Sequence, residues 1–307
     1  MIKGNIAFLV MAHTDPEMVA RLSRRLLPYG RVFVHVDGKQ PLTPFKAAAS
    51  EKVAFVEPRT RVSWGGYTQV RAILDLMGEA LHKMPEAEIV MLLSGQDYPI
   101  GSLDDFVAML ESRPGHNFIR GFDLLASPTD RNKIEVKRYL DDLVPFAPQG
   151  VLRRPVRFIN RLGRKIDRET MRFRSREFPF DMKPATGSSW WVLTRPMAEY
   201  ILRFVAENPA FVRYYRRAFA MDEQFFHTIA LNSPLAAEHA DPIEPYVEQQ
   251  IAHMANVHHI HISLGKTYRL EDLSEVVGSG KWFIRKVSTE ESTPLLDRLD
   301  ALAEVKP

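Results

Sequence analysis

Polar residues that could bind a ligand follow three apolar runs of the chain. His13 follows the run Ile6–Ala12, and Asp37 follows the run 31–36. Asp97 lies in a Ser-Gly-Gln-Asp-Tyr-Pro loop that follows a third run. A lone aspartate after a strand is usually a loop cap. Several polar residues at the carboxyl edge of one sheet are instead typical of a ligand site.

Charged residues in the second half of the chain suit anion binding and proton transfer. Arg285 and Lys286 are adjacent cations, which form either a solvated basic pair or a site for an anion. Glu223 opens the segment Glu223–Leu231, which we predict to be helical. Its carboxylate is therefore either a favourable charge at a helix N-terminus or a general base.

The familiar nucleotide-binding motifs are absent. No Gly-x-Gly-x-x-Gly follows the first apolar run, which argues against a dinucleotide-dependent dehydrogenase. The sequence 278–281 resembles a phosphate loop, but Trp282 stands where Ser or Thr would bind magnesium, so we interpret it as a turn. The chain also contains no Asp-x-Asp tripeptide.

Strand-like and helix-like segments alternate through the first 121 residues. This alternation predicts an α/β fold, a doubly wound and mainly parallel sheet with helices on both faces. We predict strands at Asn5–Ala12, Arg31–Val36, Val53–Glu57, Glu88–Leu93 and near Asn117–Gly121, with helices at Thr68–Lys83 and from Leu103.

The whole chain is predicted to be one domain, 1–307. Within it we distinguish a nucleotide-binding half at 1–121, a basic insertion at 122–185, and a catalytic and acceptor-binding half with a C-terminal tail at 186–307. In the last part we expect a strand that completes the sheet at Ser189–Thr194, and helices at Pro196–Glu207, Glu223–Leu231 and Thr293–Val305.

Composition narrows the functional classes. The chain has 307 residues, is 45% hydrophobic, carries a net charge of +3 and contains no cysteine. The lack of cysteine excludes disulfides, thiolate nucleophiles and cysteine-ligated zinc, and it suits a reducing bacterial cytoplasm. No apolar run is long enough to predict a membrane span.

The insertion is strongly basic. Between Arg153 and Arg176 there are ten Arg and Lys residues against Asp167 and Glu169. At helical spacing these form either a solvated face or a surface that attracts an anionic membrane or an acidic polysaccharide. We predict peripheral contact of 153–176 with the inner face of the cytoplasmic membrane. We expect no nucleic-acid binding, because no aromatic platform accompanies the charges.

Successive motifs, in this order and spacing, resemble the core-2/I-branching and peptide O-xylosyltransferase family, and we expect a bacterial member. The resemblance runs from about residue 5 to 287 and leaves out the insertion and the tail. The segments that carry it are Ile6–His13, Phe33–Asp37, Val62–Gly66, Leu93–Ile100, Gly187–Arg195, Glu223–Ile229 and Phe283–Lys286.

The resemblance implies a glycosyltransferase of the A-type fold. Such an enzyme transfers GlcNAc or xylose from a UDP-sugar to a hydroxyl group, with inversion and without a metal or other cofactor. Arg285 and Lys286 match the family's pyrophosphate-binding pair. Glu223 matches its catalytic base, and Asp97 is the rival catalytic carboxylate, placed to contact donor or acceptor.

The resemblance also implies the remaining site residues. Val10, His13 and Asp37 are expected to hold uridine, and Trp64 to wall the nucleotide or sugar pocket. We assign acceptor binding to three residues of the strand at 189–194 and its approach. Because neighbours on a strand face opposite sides, one ring of the tryptophan pair should be in the core. These three residues are Ser188, Trp190 and Trp191.

One departure from the family concerns the segment before the terminal basic motif. His258, His259 and His261 stand where the core-2 enzymes carry a second phosphate-binding arginine. Alternation along a strand separates these histidines, so we do not predict zinc. Two alternatives stay open: a nucleotide-sugar hydrolase on the same fold, and a catalytically silent protein that binds UDP or sugar.

Overall fold

The computed structural model describes residues 2–136, 176–248 and 251–304, with a few residues between 155 and 166. Its strands are β1 (Ile6–Ala12), β2 (Gly30–Val36), β3 (Ala54–Phe55), β4 (Ile89–Ser94), β5 (Asp97–Pro99), β6 (Phe122–Asp123), β7 (Ala185–Thr186), β8 (Val192–Thr194), β9 (His258–Ile260) and β10 (Phe283–Arg285).

The helices of the described residues complete the element list. They are α1 (Pro16–Leu26), α2 (Thr43–Ala48), α3 (Tyr67–Lys83), α4 (Leu103–Ser112), α5 (Arg131–Glu135), α6 (Arg195–Glu207), α7 (Pro209–Tyr215), α8 (Phe225–Leu231), α9 (Ala236–His239), α10 (Leu273–Gly278) and α11 (Thr289–Glu304), with short 3₁₀ turns at Met221–Glu223, Ile251–Met254 and Leu270–Asp272.

A five-stranded sheet in the order β3-β2-β1-β4-β8 forms the centre of the molecule. The first four strands are parallel, and β8 pairs with β4 in the antiparallel direction. The strand from the second half of the chain therefore completes the sheet, as predicted. Because the ends of β1, β2 and β4 lie side by side, the residues that follow them share one edge.

The side chains of β1 alternate between two separate cores. Phe8 and Val10 pack with the apolar face of α1, whereas Ala7 and Leu9 pack with α3 on the other side of the sheet. Helices therefore cover both faces, which explains why β1 is apolar throughout. The predicted α/β class with a mainly parallel, doubly wound sheet is confirmed.

A second, smaller sheet in the order β5-β10-β9 lies beside the first. β10 runs antiparallel to β5, and their register places Arg285 opposite Asp97. β9 pairs with the other edge of β10, with His258 beside Phe283. This sheet brings residues from distant parts of the sequence together.

The C-terminal helix α11 is fastened to the start of the chain. The Asp15 carboxylate accepts hydrogen bonds from the backbone N–H of Thr289, at 2.7 Å, and from its hydroxyl. Further along α11, Asp300 accepts a hydrogen bond from the Tyr98 hydroxyl and pairs with Arg21. These contacts hold the segment after β10 against α1 and β5.

Three local predictions need correction. Residues 117–121 form isolated bridges instead of a strand, because the Asn117 side chain accepts from Thr194 and the chain then leaves the ladder. The strand predicted at 53–57 shortens to β3. Glu223 ends a 3₁₀ turn and does not begin a helix, because Gln224 interrupts the helical backbone before α8.

Truncation of a side chain at the centre of the sheet should cause a large loss of stability. Leu9→Ala should lower the free energy of unfolding by about 2–5 kcal/mol in urea denaturation, because the side chain is fully buried. Leu302→Ala on the exposed face of α11 is the control and should change it by less than about 0.5 kcal/mol. Equal effects of the two substitutions would contradict this packing.

Candidate active site

A cavity of about 400 Å³ opens at the carboxyl ends of β1, β2 and β4. Most of the residues predicted from the sequence line it together: His13, Asp37, Trp64, Ser188, Trp190, Glu223, Arg285 and Lys286. A larger cavity of about 880 Å³ at the other end of the sheet contains none of the predicted site residues. We therefore take the first cavity as the candidate active site.

Two predicted ligand contacts are wrong. The Val10 side chain is fully buried in the core beneath α1, while its neighbour Met11 lines the cavity. Trp191 is also fully buried, and its ring packs 5.5 Å from that of Phe226. Strand alternation thus divides the tryptophan pair as expected, with Trp190 at the cavity and Trp191 in the core.

Asp97 does not line the cavity either. Its side chain is 0% exposed and lies beneath the cavity floor. One carboxylate oxygen accepts from Arg285 Nη1 at 2.7 Å, and the other accepts from the backbone N–H of Ser94, with His258 Nε2 at 3.1 Å. The prediction that Asp97 touches the donor or acceptor is therefore wrong. Its side chain is buried and supports Arg285.

The Arg285 guanidinium is held from two sides. Asp97 fixes one nitrogen, and the Trp190 ring lies beneath the guanidinium carbon at 4.3 Å from its centroid. Burial by itself raises the pKa of Asp97, but the charge of Arg285 and the hydrogen bonds from His258 and the Ser94 N–H outweigh it, and the pKa is lowered. Asp97 therefore stays ionised, and Arg285 stays oriented at the cavity wall.

Lys286 adds a second cation to the same wall. Burial, together with Arg285, lowers the pKa of Lys286. Within the described residues, no carboxylate lies at ion-pair distance from its ammonium group. Burial and Arg285 also lower the pKa of His13 across the cavity. This end of the cavity has the positive charge that an anionic ligand would neutralise.

Asp37 organises the loop that borders the cavity. One of its oxygens accepts from the backbone N–H groups of Lys39, at 2.9 Å, and Val62, at 3.1 Å. Beyond Val62 the loop presents Trp64, whose side chain is 81% exposed and packs edge-on against Phe219 at 5.4 Å. Asp37 therefore fixes the position from which Trp64 flanks the opening.

The residue after Trp64 must be a glycine. Gly65 has a φ of +69°, and a Cβ at this position would lie 2.9 Å from the Phe219 ring. The loop leads into α3, where Gln69 accepts from the Gly65 N–H and donates to Asp222. The Trp64 loop is thus linked directly to the acidic end of the cavity.

Two adjacent carboxylates form this acidic end. Asp222 accepts hydrogen bonds from the Ser189 hydroxyl, at 2.7 Å, and from Gln69 Nε2, at 2.8 Å. Glu223 accepts from Lys133 Nζ at 2.9 Å. Burial raises the pKa of Asp222 and raises that of Glu223 to about 7, with Lys133 opposing the rise. A carboxylate with a pKa near 7 suits a general base.

The sequence interpretation missed part of this acidic end. Asp222 directly precedes Glu223 in the sequence, so its position was a usable signal. Lys133, Ser189 and Gln69 gave none, because they reach the carboxylates only through contacts between residues far apart in the chain.

The three histidines of 258–261 have separate partners. His258 contacts Asp97, His259 contacts Glu275 at 2.9 Å, and His261 contacts the Ser263 hydroxyl. Among the described residues there is no group of three or more potential ligands that would hold a metal ion.

Most of the ten Arg and Lys residues between Arg153 and Arg176 lie outside the described residues. The structure describes three of them: Arg161 and Lys165 are exposed, and Arg176 is half-buried. The contact of 153–176 with a membrane stays a prediction. In the described parts of the chain, no helix has the length and apolar character required to cross a bilayer.

Comparison with known proteins identifies the family. A family model described as "Core-2/I-Branching enzyme" matches residues 6–247, most of the chain. The chain belongs to the Core-2/I-Branching enzyme family. The match begins at β1 and extends past Glu223. It therefore includes all five strands of the central sheet and the two carboxylates at the acidic end of the cavity.

Curated relatives of this family member are distant in sequence. Xylosyltransferase oxt of Drosophila melanogaster is 25% identical over 245 residues, which are 77% of this chain and 25% of that protein. The human protein named probable beta-1,3-galactosyl-O-glycosyl-glycoprotein beta-1,6-N-acetylglucosaminyltransferase 7 is 24% identical over 209 residues, 64% of this chain and 43% of that protein.

The chain therefore spans about a quarter of the fly relative and less than half of the human one. Among solved structures, the mannose-1-phosphate geranyltransferase from Thermus thermophilus aligns with a TM-score of 0.32 at 16% identity, covering 78% of this chain and 73% of that one. At this TM-score the likeness carries no argument about function.

The raised pKa of Glu223 predicts a pH-dependent stability that needs no substrate to measure. A carboxyl whose folded pKa is raised contributes stability below its unfolded pKa of 4.5, and this is lost as pH rises through about 7. Between pH 4.5 and 8, the wild type should lose about 3 kcal/mol of unfolding free energy relative to Glu223→Gln. Urea denaturation at several pH values measures this difference.

The control for this prediction is Glu86→Gln, which alters an exposed carboxylate away from the cavity. It should follow the wild-type pH dependence. Parallel curves for the wild type and Glu223→Gln would contradict the raised pKa.

Proposed function

We propose that this protein is an inverting, metal-independent glycosyltransferase of the A-type fold that transfers a sugar from a UDP-sugar to a hydroxyl group. The observation that carries the proposal is the pairing of two oriented cations with a carboxylate of raised pKa in one cavity. Membership of the Core-2/I-Branching enzyme family supports it.

In this proposal the Arg285 and Lys286 end binds the pyrophosphate of the donor. As UDP departs, negative charge develops on its phosphate oxygens, and two fixed cations stabilise that charge without a divalent ion. Asp97 does not neutralise the wall completely, because Lys286 remains as the second cation. His13 and Asp37 are proposed to contact the uridine, and Trp64 to flank the donor sugar or the acceptor.

At the other end, Glu223 is proposed to be the general base. The acceptor oxygen attacks the anomeric carbon on the face opposite UDP and forms the new glycosidic bond. The bond from that carbon to the UDP oxygen breaks, and UDP leaves with the electron pair. Glu223 takes the proton of the acceptor hydroxyl, which requires its ionised form.

The substrates are proposed from the names of relatives and from the cavity. The relatives' names point to xylose or N-acetylglucosamine as the sugar. Ser188 and Trp190 are proposed to contact the acceptor, a glycan, a lipid-linked glycan or a protein. Peripheral membrane contact through 153–176, in the cytoplasm, would suit a lipid-linked acceptor.

Two other functions remain distinguishable by experiment. A nucleotide-sugar hydrolase on this fold would release free sugar when no acceptor is present. A silent binding protein would bind UDP and turn nothing over, but a buried carboxylate with a raised pKa facing the cavity favours an enzyme.

Donor binding without metal is the first prediction of this proposal. UDP should bind in excess EDTA, and Arg285→Ala with Lys286→Ala should weaken that binding at least about 100-fold, because two charge-assisted contacts are lost. Isothermal titration calorimetry measures both affinities.

The matched control is Arg71→Ala with Lys83→Ala, which removes two cations of the exposed face of α3. It should bind UDP like the wild type. Binding that requires manganese would remove the metal-independent proposal.

Separation of binding from chemistry is the second prediction. Glu223→Gln should keep the UDP affinity of the wild type but reduce turnover about 10²- to 10⁴-fold, because it lacks a proton acceptor. UDP release from UDP-xylose and UDP-N-acetylglucosamine, with sugar and serine-peptide acceptors, measures turnover. A fully active Glu223→Gln protein would contradict the assignment of the base.

A further inference from the structure

The Lys133 ammonium group bridges two carboxylates at the acidic end of the cavity. Its Nζ lies 2.9 Å from Glu223 Oε2 and 2.8 Å from Asp130 Oδ1. All three side chains are mostly buried, with exposures of 21–23%. Ion pairs in such surroundings are screened less than pairs at a fully exposed surface.

The backbone around Lys133 is tied to the segment that carries Glu223. The Lys133 carbonyl accepts from the N–H of Phe219, at 2.8 Å, just before the 3₁₀ turn that ends in Glu223. On the other side of Lys133, Asp130 accepts from the Ser127 hydroxyl at 2.8 Å. These contacts therefore hold the Lys133 ammonium group next to the Glu223 carboxylate.

A later part of the insertion, at Arg176, is held against α5 as well. The Arg176 N–H donates to the Glu135 carbonyl at 2.8 Å, and its guanidinium donates to the carbonyls of Ile134 and Tyr214. The guanidinium also lies 3.5 Å from the centroid of the Tyr214 ring. Two parts of the basic insertion, α5 and the segment at Arg176, thus meet beside Glu223.

Several charged groups act on Glu223. Asp222, its neighbour in the turn, and Asp130 disfavour its ionised form, as burial does, whereas Lys133 favours it. Burial raises the pKa of Asp222, and the charges of Lys133 and Arg285 oppose this rise. Burial lowers the pKa of Lys133, but Glu223 and Asp130 outweigh this and raise it, so Lys133 stays charged. Of these groups, Lys133 is the only cation that contacts Glu223.

We propose that Lys133 is a positioning residue that orients the Glu223 carboxylate and keeps it able to accept a proton near neutral pH. The inference rests on the base role proposed above for Glu223. It assigns the insertion a part in the reaction, because the insertion supplies the residue that prepares the base. Lys133 itself needs no contact with the substrate.

The test is a direct titration of Glu223, which requires no acceptor. In protein labelled with ¹³C at the glutamate carboxyl, the Glu223 signal is the one absent from Glu223→Gln. Its midpoint in the wild type should be near pH 7. Lys133→Met, of similar length and uncharged, should raise the midpoint by about one unit or more, because an opposite charge is removed.

Two further variants give opposite expectations. Lys133→Arg keeps the cation and should stay near the wild-type midpoint. Asp130→Asn removes a negative charge and should lower the midpoint. Lys133→Gln, which also removes the cation, replaces Lys133→Met if that variant fails to fold. The control is Lys183→Met, which loses an exposed lysine paired with Asp123 and should leave the midpoint unchanged.

The outcomes separate this inference from the proposed function. An unchanged midpoint in Lys133→Met, or in Lys133→Gln where that variant replaces it, would overturn the role of Lys133, whatever the enzyme transfers. Calorimetry with UDP should give the same affinity for Lys133→Met and the wild type. Full activity of Glu223→Gln would remove the proposed base while the titration result still stood.

Discussion

The buried ion pair between Arg285 and Asp97 is the contact on which the arrangement of the site depends. A buried carboxylate is costly unless it is paired and hydrogen-bonded, and Asp97 contacts Arg285, His258 and the Ser94 N–H. The pair exists because β10 runs antiparallel to β5 with these two residues in register. The second sheet thus fixes the cationic wall relative to the end of β4.

The two ends of the cavity are connected through consecutive residues. The Ser189 hydroxyl donates to Asp222 at the acidic end, while the Trp190 ring supports Arg285 at the cationic end. A shift of this short segment would therefore move the groups proposed to bind the donor and those proposed to accept the proton together. Proximity and orientation contribute strongly to catalysis, so this coupling is functionally useful.

Patterns of apolar residues in the sequence predicted strands and helices well where buried residues recur at a regular spacing. Periodicity placed β1 and α3 within a residue or two, and strand alternation anticipated that one ring of the tryptophan pair would be in the core. Contacts between distant residues were not predictable, because no local pattern records that Asp97 pairs with Arg285 or that Lys133 reaches Glu223. Most of the residues that the motif resemblance assigned to the site line one cavity, but only the packing separated those that face it from their supports.

The most direct test of the account is a crystal structure of the protein with UDP, grown with manganese present. The pyrophosphate oxygens should lie within hydrogen-bond distance of Arg285 and Lys286, with no metal ion between them and the protein. Glu223 should remain on the opposite side of the donor-sugar position, held by Lys133. A pyrophosphate bound elsewhere in the cavity, or one bridged to the protein by manganese, would contradict the account.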